Sequence, residues 1–187
     1  MKLWPPNISG NEINGVGDTE VRKPDIVWWA TENDKISFGE MQEWFYKNEP
    51  NDENLMKLRD ERRSIINTPL PEIKEEQSEK KPCEWNDCLN QFLDKGVCEK
   101  IGVTKLRQEW VYSHHRTKFK NVILLGIAHD FDELITAPTL QAGIEVTRQY
   151  CRAASAANEV AAWLRKEGWD AEPVTGPMVG KILMIPH

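Results

Sequence analysis

The feature that most constrains the fold is a long proline-free stretch, residues 141–167, in which apolar and small side chains recur at helical spacing. Six alanines between positions 153 and 162 make it unusually small-sided, while Val160, Trp163 and Leu164 supply bulk. This pattern predicts one long helix that packs closely against a sheet or against a flat ligand. Gly168 favours an end to the helix directly after it.

Shorter helices and strands are predicted on either side of this stretch, and together they indicate an α/β fold of the mixed α+β kind. The apolar run at residues 122–128 is typical of a strand buried on both faces. Asp130, Asp132 and Glu133 follow it, at the strand end where sites in α/β sheets lie. The predicted helices are residues 38–47, 54–66 and 84–95, and the other predicted strands are residues 26–29, 97–103 and 169–174.

The composition of residues 67–82 predicts a solvated linker, because this segment holds three prolines and a run of alternating charges. We therefore expect a tryptophan-rich N-terminal extension at residues 1–66, the linker at 67–82, and an α/β domain at 83–187. Trp28-Trp29 and Trp44-Phe45-Tyr46 in the extension suit either a stacking platform for an aromatic ligand or anchors that hold it to a core. We prefer the anchors.

Charge and hydropathy exclude some classes of function. The net charge of -6 and the pI near 5.3 argue against nucleic-acid binding, which usually needs a clustered basic face. No apolar stretch approaches the roughly 20 residues that span a bilayer. The first residues have neither an apolar secretory core nor a twin-arginine pair, so we expect a cytoplasmic location and no membrane span.

No metal site is predicted. The four cysteines, Cys83, Cys88, Cys98 and Cys151, match neither a zinc ribbon nor a ferredoxin run, and we interpret them as scattered reduced thiols. The other metal-capable groups are His114-His115 and His129 with Asp130 and Asp132. Adjacent histidines point apart on a strand, and no HxxxH or HExxH helix is present.

Four elements then occur in a familiar order: residues 102–113, residues 122–133, Thr136-Ala137-Pro138-Thr139, and residues 148–171. The last contains RQYCRA near its start and GWDA at its end. In this order they resemble the corrinoid-binding part of the reductive dehalogenases, over about 85 of the 187 residues. The resemblance implies a nitroreductase-like corrinoid-binding domain that is incomplete at its C-terminus.

The same resemblance implies an activity, the cleavage of a carbon-halogen bond with Tyr150 as the proton donor. It also implies a base-off corrinoid (cobalamin) without a protein ligand, and two [4Fe-4S] clusters held by sequence beyond this chain. The partners implied are an organohalide substrate and an electron donor such as a ferredoxin or a reductase. A phenol in a dry pocket can donate a proton, although Tyr150 also suits an ordinary half-buried helix position.

Two departures from the family keep other interpretations open. No asparagine stands near residues 175–177, where the family's substrate pocket has one, and the chain reaches His187 before any cluster-binding cysteine run. We expect the apolar residues 182–185 to be covered by further sequence or by a partner chain. The alternatives are a degenerate, non-catalytic domain that binds a partner, and a relative of epoxyqueuosine reductase acting on tRNA, which the acidic charge disfavours.

Overall fold

The computed structural model describes Lys23 and residues 51–175, and these residues combine helices with a two-stranded antiparallel sheet. The mixed α/β class expected from the sequence is therefore correct. The strand predicted at 26–29, the helix predicted at 38–47, the aromatic groups within them and the apolar residues 182–185 lie outside the described residues.

The first described helix, α1, spans Glu53–Ile66, as the pattern at residues 54–66 predicted. Its N-cap is Asp52, whose carboxylate accepts hydrogen bonds from the backbone N–H groups of Asn54 and Leu55 at 2.9 and 3.0 Å. Such a cap satisfies donors that have no partner within the helix. Leu55 and Arg62 are the buried residues of α1, which packs against the long helix described below.

The second helix, α2, spans Pro82–Asp94, close to the predicted residues 84–95. Proline stands in its first turn, where a missing N–H costs little, and the Glu84 carboxylate accepts a hydrogen bond from the Lys81 N–H. Leu89 and Phe92 form its buried face. Gly96, with φ of +70°, follows the end of the helix.

The two strands are β1, Lys100–Lys105, and β2, Asn121–Gly126. They pair in antiparallel register, with Lys100 opposite Gly126 and Lys105 opposite Asn121. The predicted strand at 97–103 was placed too early, because the residues that pair with β2 continue to Lys105. The prediction of a strand buried on both faces was wrong for β2: its apolar residues are only half-buried, and Val103 of β1 is 56% exposed.

A short helix, α3, spans Phe131–Leu134 and is capped by the Asp130 carboxylate. A cis Ala137–Pro138 bond separates it from the long helix α4, Leu140–Lys166. The helix predicted at 141–167 is thus confirmed within one residue at each end. Helix α4 is the centre of the described fold, since α1, α3 and β2 all pack against it.

The strand predicted at residues 169–174 is not formed. Arginine side chains bind one backbone carbonyl in this segment and one directly after it: Arg165 donates to Ala171 O at 3.3 Å and Arg62 donates to Thr175 O at 3.2 Å. A strand needs its carbonyls for a neighbouring strand, and here side chains take that place.

The described residues fall into two contact units. One comprises residues 51–105 and 121–175, and the other includes Leu106–Lys120. The segment Leu106–Lys120 has a 3-10 turn at Gln108–Trp110, and its Leu106 N–H donates a hydrogen bond to Lys120 O. The predicted linker, residues 67–82, lies within the first unit, which also contains α1 and α4. Residues 67–81 are mostly exposed, but hydrogen bonds tie them to the end of α4.

Candidate functional site

Tyr150, the one residue to which the resemblance assigns chemistry, lies near the middle of α4 and is half-buried. Residues three, four and seven positions further on share its side of the helix, and all three are alanines: Ala153, Ala154 and Ala157. Ala154 is fully buried, while Ala153 and Ala157 are half-buried like the tyrosine. Tyr150 therefore stands at one end of a small-sided stripe.

A buried cation from α1 lies against this tyrosine. The guanidinium carbon of Arg62 is 5.4 Å from the centroid of the Tyr150 ring, within the range of a cation–π contact. Arg62 is only 8% exposed. Burial lowers its pKa, and electrostatic interaction with Cys151 and with Tyr150 opposes that lowering. The sequence interpretation did not include Arg62 in the site.

Cys151 is buried beside Tyr150 and contacts α1. Its thiol donates a hydrogen bond to Leu58 O at 3.2 Å. Burial raises the pKa of the thiol, with Glu61 acting in the same direction and Arg62 against it. Cys151 is thus held as a protonated donor between the helices, and its raised pKa disfavours the thiolate that a nucleophile needs.

A second set of polar contacts surrounds Glu145, five residues before Tyr150 in α4. The Glu145 side chain has no exposed area. Its carboxylate accepts hydrogen bonds from Asp130 N–H at 2.7 Å, Gln149 at 2.8 Å and Arg148 at 2.6 Å. Burial acts to raise the pKa of Glu145, but these donors outweigh it and hold the pKa below its usual value. Arg148 also pairs with Glu133 at 2.8 Å.

Glu99 forms a similar contact just before β1. One carboxylate oxygen accepts from Arg152 of α4 at 2.6 Å, and the other accepts from Ala128 N–H at 2.8 Å. These hydrogen bonds, the Arg152 one most of all, lower the pKa of Glu99. Carboxylates thus hold two backbone N–H groups, those of Ala128 and Asp130, in the loop that follows β2. Of the acidic residues predicted at this strand end, Asp130 caps α3 and Glu133 pairs with Arg148.

The described histidines have different surroundings. His129 Nδ1 lies 3.9 Å from Glu145 Oε1, and the His114 ring is 5.9 Å from the Tyr112 ring in the other contact unit. Within residues 51–175 no three His, Cys, Asp or Glu side chains form a group that could hold a metal ion. All four cysteines are free thiols. In the same range, no helix has the length and apolar character to cross a membrane.

Two residues that sequence reasoning missed carried a signal. Arg62 stands four residues after Leu58 and seven after Leu55, on the apolar side of α1. Glu145 stands three residues after Ala142 on a buried side of α4. A charged residue at an apolar position of a helical pattern indicates a buried polar contact, because burial of an unpaired charge is costly.

Comparisons of this chain with protein-family models, with curated proteins and with solved structures found no match.

Proposed function

We propose that this chain is the corrinoid-binding part of a reductive dehalogenase-like oxidoreductase, with a nitroreductase-like fold and with Tyr150 as the proton donor. The observation that carries the proposal is the setting of Tyr150: a half-buried phenol at the end of an alanine stripe, with a buried guanidinium against its ring. The order of the four sequence elements supports the same assignment.

The residues beside Tyr150 fit a large flat group. Ala153 and Ala157 are half-buried and have no side chain beyond Cβ, so a planar ligand can approach the helix closely along this line. When bound, the corrinoid would supply the reducing chemistry that breaks the carbon-halogen bond. The fit concerns shape only, since a base-off corrinoid needs no metal ligand from the protein.

The role of the protein residues follows from the balanced reaction. An organohalide, two electrons and one proton give the hydrocarbon and a halide ion. Tyr150 would hold the proton at its hydroxyl oxygen and release it to the carbon that loses the halogen. Arg62, as a fixed cation beside the ring, would stabilise the negative charge left on the phenol oxygen. The electrons would come from two [4Fe-4S] clusters outside this chain, fed by a ferredoxin or a reductase.

The test is a corrinoid titration followed by a reaction with a chemical reductant. The purified chain is titrated with cobalamin and with cobinamide, and binding is read from the change in their absorption spectrum. Bound corrinoid is then reduced chemically and given a chlorinated or brominated aromatic substrate. Tyr150→Phe is expected to bind the corrinoid as tightly as the parent chain and to release halide at least about 100-fold more slowly.

Tyr112→Phe, the same substitution at a tyrosine to which the resemblance assigns no chemistry, serves as the matched control. It is expected to leave both binding and halide release unchanged. If the parent chain binds neither corrinoid, or if Tyr150→Phe releases halide at the parent rate, the proposal fails.

A second candidate function is a non-catalytic domain that binds a partner. One observation favours it: two groups beside the tyrosine have hydrogen bonds within the fold, since Arg62 joins α1 to the segment after α4 and Cys151 joins α4 to α1. Their contacts suffice to explain their burial without any ligand. On this alternative the chain takes up no corrinoid, and Tyr150→Phe affects neither folding nor partner binding.

A further inference from the structure

Residues 67–81, here called the strap, run without helix or strand past the C-terminal end of α4. Two backbone N–H groups of the strap donate to α4 and the residue after it: Lys74 to Arg165 O at 2.9 Å and Ser78 to Glu167 O at 2.8 Å. The last carbonyls of a helix lack the regular helical donors, and the strap adds donors there; Arg165 O also accepts from the Gly168 N–H at 3.1 Å. Arg165 returns a hydrogen bond to Pro71 O at 2.6 Å.

The apolar attachment of the strap is weak. Most of its residues are exposed; Leu70 and Pro71 are half-buried, and Ile73 is 38% exposed. Segments that rely on exposed backbone hydrogen bonds and bury little apolar surface open at a lower free energy than the core. The strap has this character, whereas the α1–α4 interface contains Leu55 and Ala154, at 4% and 0% exposure.

Lys80 provides the strongest side-chain contact of the strap. Its ammonium lies 4.6 Å from the ring centroid of Trp85 in α2 and hydrogen-bonds the carboxylate of Glu167. Both ion-pair partners are only 24% exposed, so water screens the pair less than it screens a surface pair. A single cation thus ties the strap to α2 and to the end of α4.

Aromatic rings lie under this end of the strap. Trp85 packs edge-on against Trp163 at 5.6 Å and against Trp169 at 6.3 Å, and Phe92 packs against Trp163 at 5.5 Å. The Trp169 indole N–H donates to Ser78 O at 3.3 Å. Departure of the strap would remove Lys80 from the Trp85 face and Ser78 from Trp169.

We propose that the strap opens and closes as a unit of its own, with Lys80 as its latch, and that opening bares the Trp85–Trp163–Trp169 cluster while α1 and α4 stay folded. This device is independent of the function proposed above, because it involves neither Tyr150 nor Arg62. Trp169 is already 41% exposed with the strap in place, so opening would enlarge the exposed part of the aromatic cluster.

Native-state hydrogen exchange of the full chain, measured by NMR at increasing sub-denaturing urea, tests the proposal. The amides of Lys74 and Ser78 are expected to exchange at similar rates with a shared, shallow urea dependence, since opening the strap exposes much less surface than unfolding α4. The Ala154 amide, in the middle of α4, is expected to exchange far more slowly and to accelerate steeply with urea. Exchange of Lys74 and Ser78 at the rate and urea dependence of Ala154 would overturn the proposal.

The latch is tested with Lys80→Met, which keeps the length of the side chain and removes its charge. We expect exchange at Lys74 and Ser78 to accelerate about 3- to 10-fold, in line with the loss of one cation–π contact and one partly buried ion pair, with Ala154 unchanged. Lys81→Met, at the exposed neighbouring position, is the matched control and should change neither rate. Equal effects of the two variants would show that Lys80 is not the latch.

Discussion

At the scale of single residues, Gly168 is the described glycine at which a side chain would meet the closest contacts. Its φ is +83°, and a Cβ added there would lie 2.5 Å from Glu76 O and 2.7 Å from Gln77 Cα. An L side chain would therefore face both an unfavourable backbone conformation and a clash with the strap backbone. We expect Gly168→Ala to lower the free energy of unfolding by about 2–4 kcal/mol in urea titrations.

Two other glycines distinguish the cost of a positive φ from the cost of the close contact with the strap. Gly96 also has a positive φ, +70°, but a Cβ there meets nothing within 4 Å, so Gly96→Ala should cost only about 1 kcal/mol. Gly143 lies inside α4 with open space around it, and Gly143→Ala should stabilise the protein by about 0.5–1 kcal/mol. A loss at Gly168 no larger than the loss at Gly96 would contradict the role assigned to the close approach.

At the scale of elements, the sequence predicted α1, α2, α4 and the approximate positions of β1 and β2, but not α3 or the half-buried state of β2. Helix α4 is long, proline-free and regular, so its period identified it without tertiary information. The apolar content of residues 122–128 predicted a strand buried on both faces. Apolar content alone does not reveal how many layers pack on a strand. Residues 169–174 have strand-like composition, yet Arg165 binds the Ala171 carbonyl and Arg62 binds the carbonyl of Thr175 directly after them. No local pattern encodes the contact with Arg62, 113 positions away.

The candidate site, too, could be predicted only in part from the sequence. The position of Tyr150 within α4 followed from the helical pattern, and its half-buried state agrees with the plain interpretation of that pattern. The pairing of Tyr150 with Arg62 depends on α1 packing against α4, which joins residues 88 positions apart in the sequence. The role of Tyr150 in catalysis stays a prediction, because the geometry is compatible with a proton donor and with a packing residue.

Helix α4 carries a prediction of its own at Glu145. Glu145→Ala removes the acceptor for the Asp130 N–H, for Gln149 and for Arg148. Gln149 is buried and cannot turn to water, while Arg148 is 44% exposed and can. We therefore expect a loss of about 2–3 kcal/mol in the free energy of unfolding, near the cost of leaving buried donors without acceptors.

Glu159→Ala, at an exposed position of the same helix, is the matched control and should change stability by less than about 0.5 kcal/mol. Hydrogen exchange adds a local readout, since the Asp130 amide should lose protection in Glu145→Ala. A variant as stable as the control would mean that water replaces the carboxylate at no cost.

At the scale of the whole molecule, three carboxylates tie distant parts of one compact unit together. Glu99 joins the start of β1 to α4, Glu145 joins α4 to the loop after β2, and Glu167 joins the end of α4 to the strap through Lys80. Each has a folded-state pKa below its ordinary value: Glu99 through Arg152, Glu145 through its hydrogen-bond donors against the effect of burial, and Glu167 through Lys80.

These shifts fix the sign of the acid dependence of stability. A carboxyl whose pKa is lower in the folded state binds its proton more readily when unfolded, so stability falls as the pH falls. The contribution is complete above the unfolded glutamate pKa, about 4.3, and is lost as the pH drops through the lower folded values. We therefore expect the free energy of unfolding, from urea titrations at constant ionic strength, to be level between about pH 5 and 7 and to decline below about pH 4.5.

The variants that check this are Glu99→Gln and Glu167→Gln, alone and together. Each removes one titrating carboxylate from the network, so each should be less stable than the parent at pH 7 and should lose less stability on going to pH 3. Glu75→Gln, in an exposed part of the strap, controls for the substitution itself. If the double variant declined as steeply as the parent below pH 4.5, the acid sensitivity would lie in other groups, and the ion pairs at Arg152 and Lys80 would not link these parts of the unit energetically.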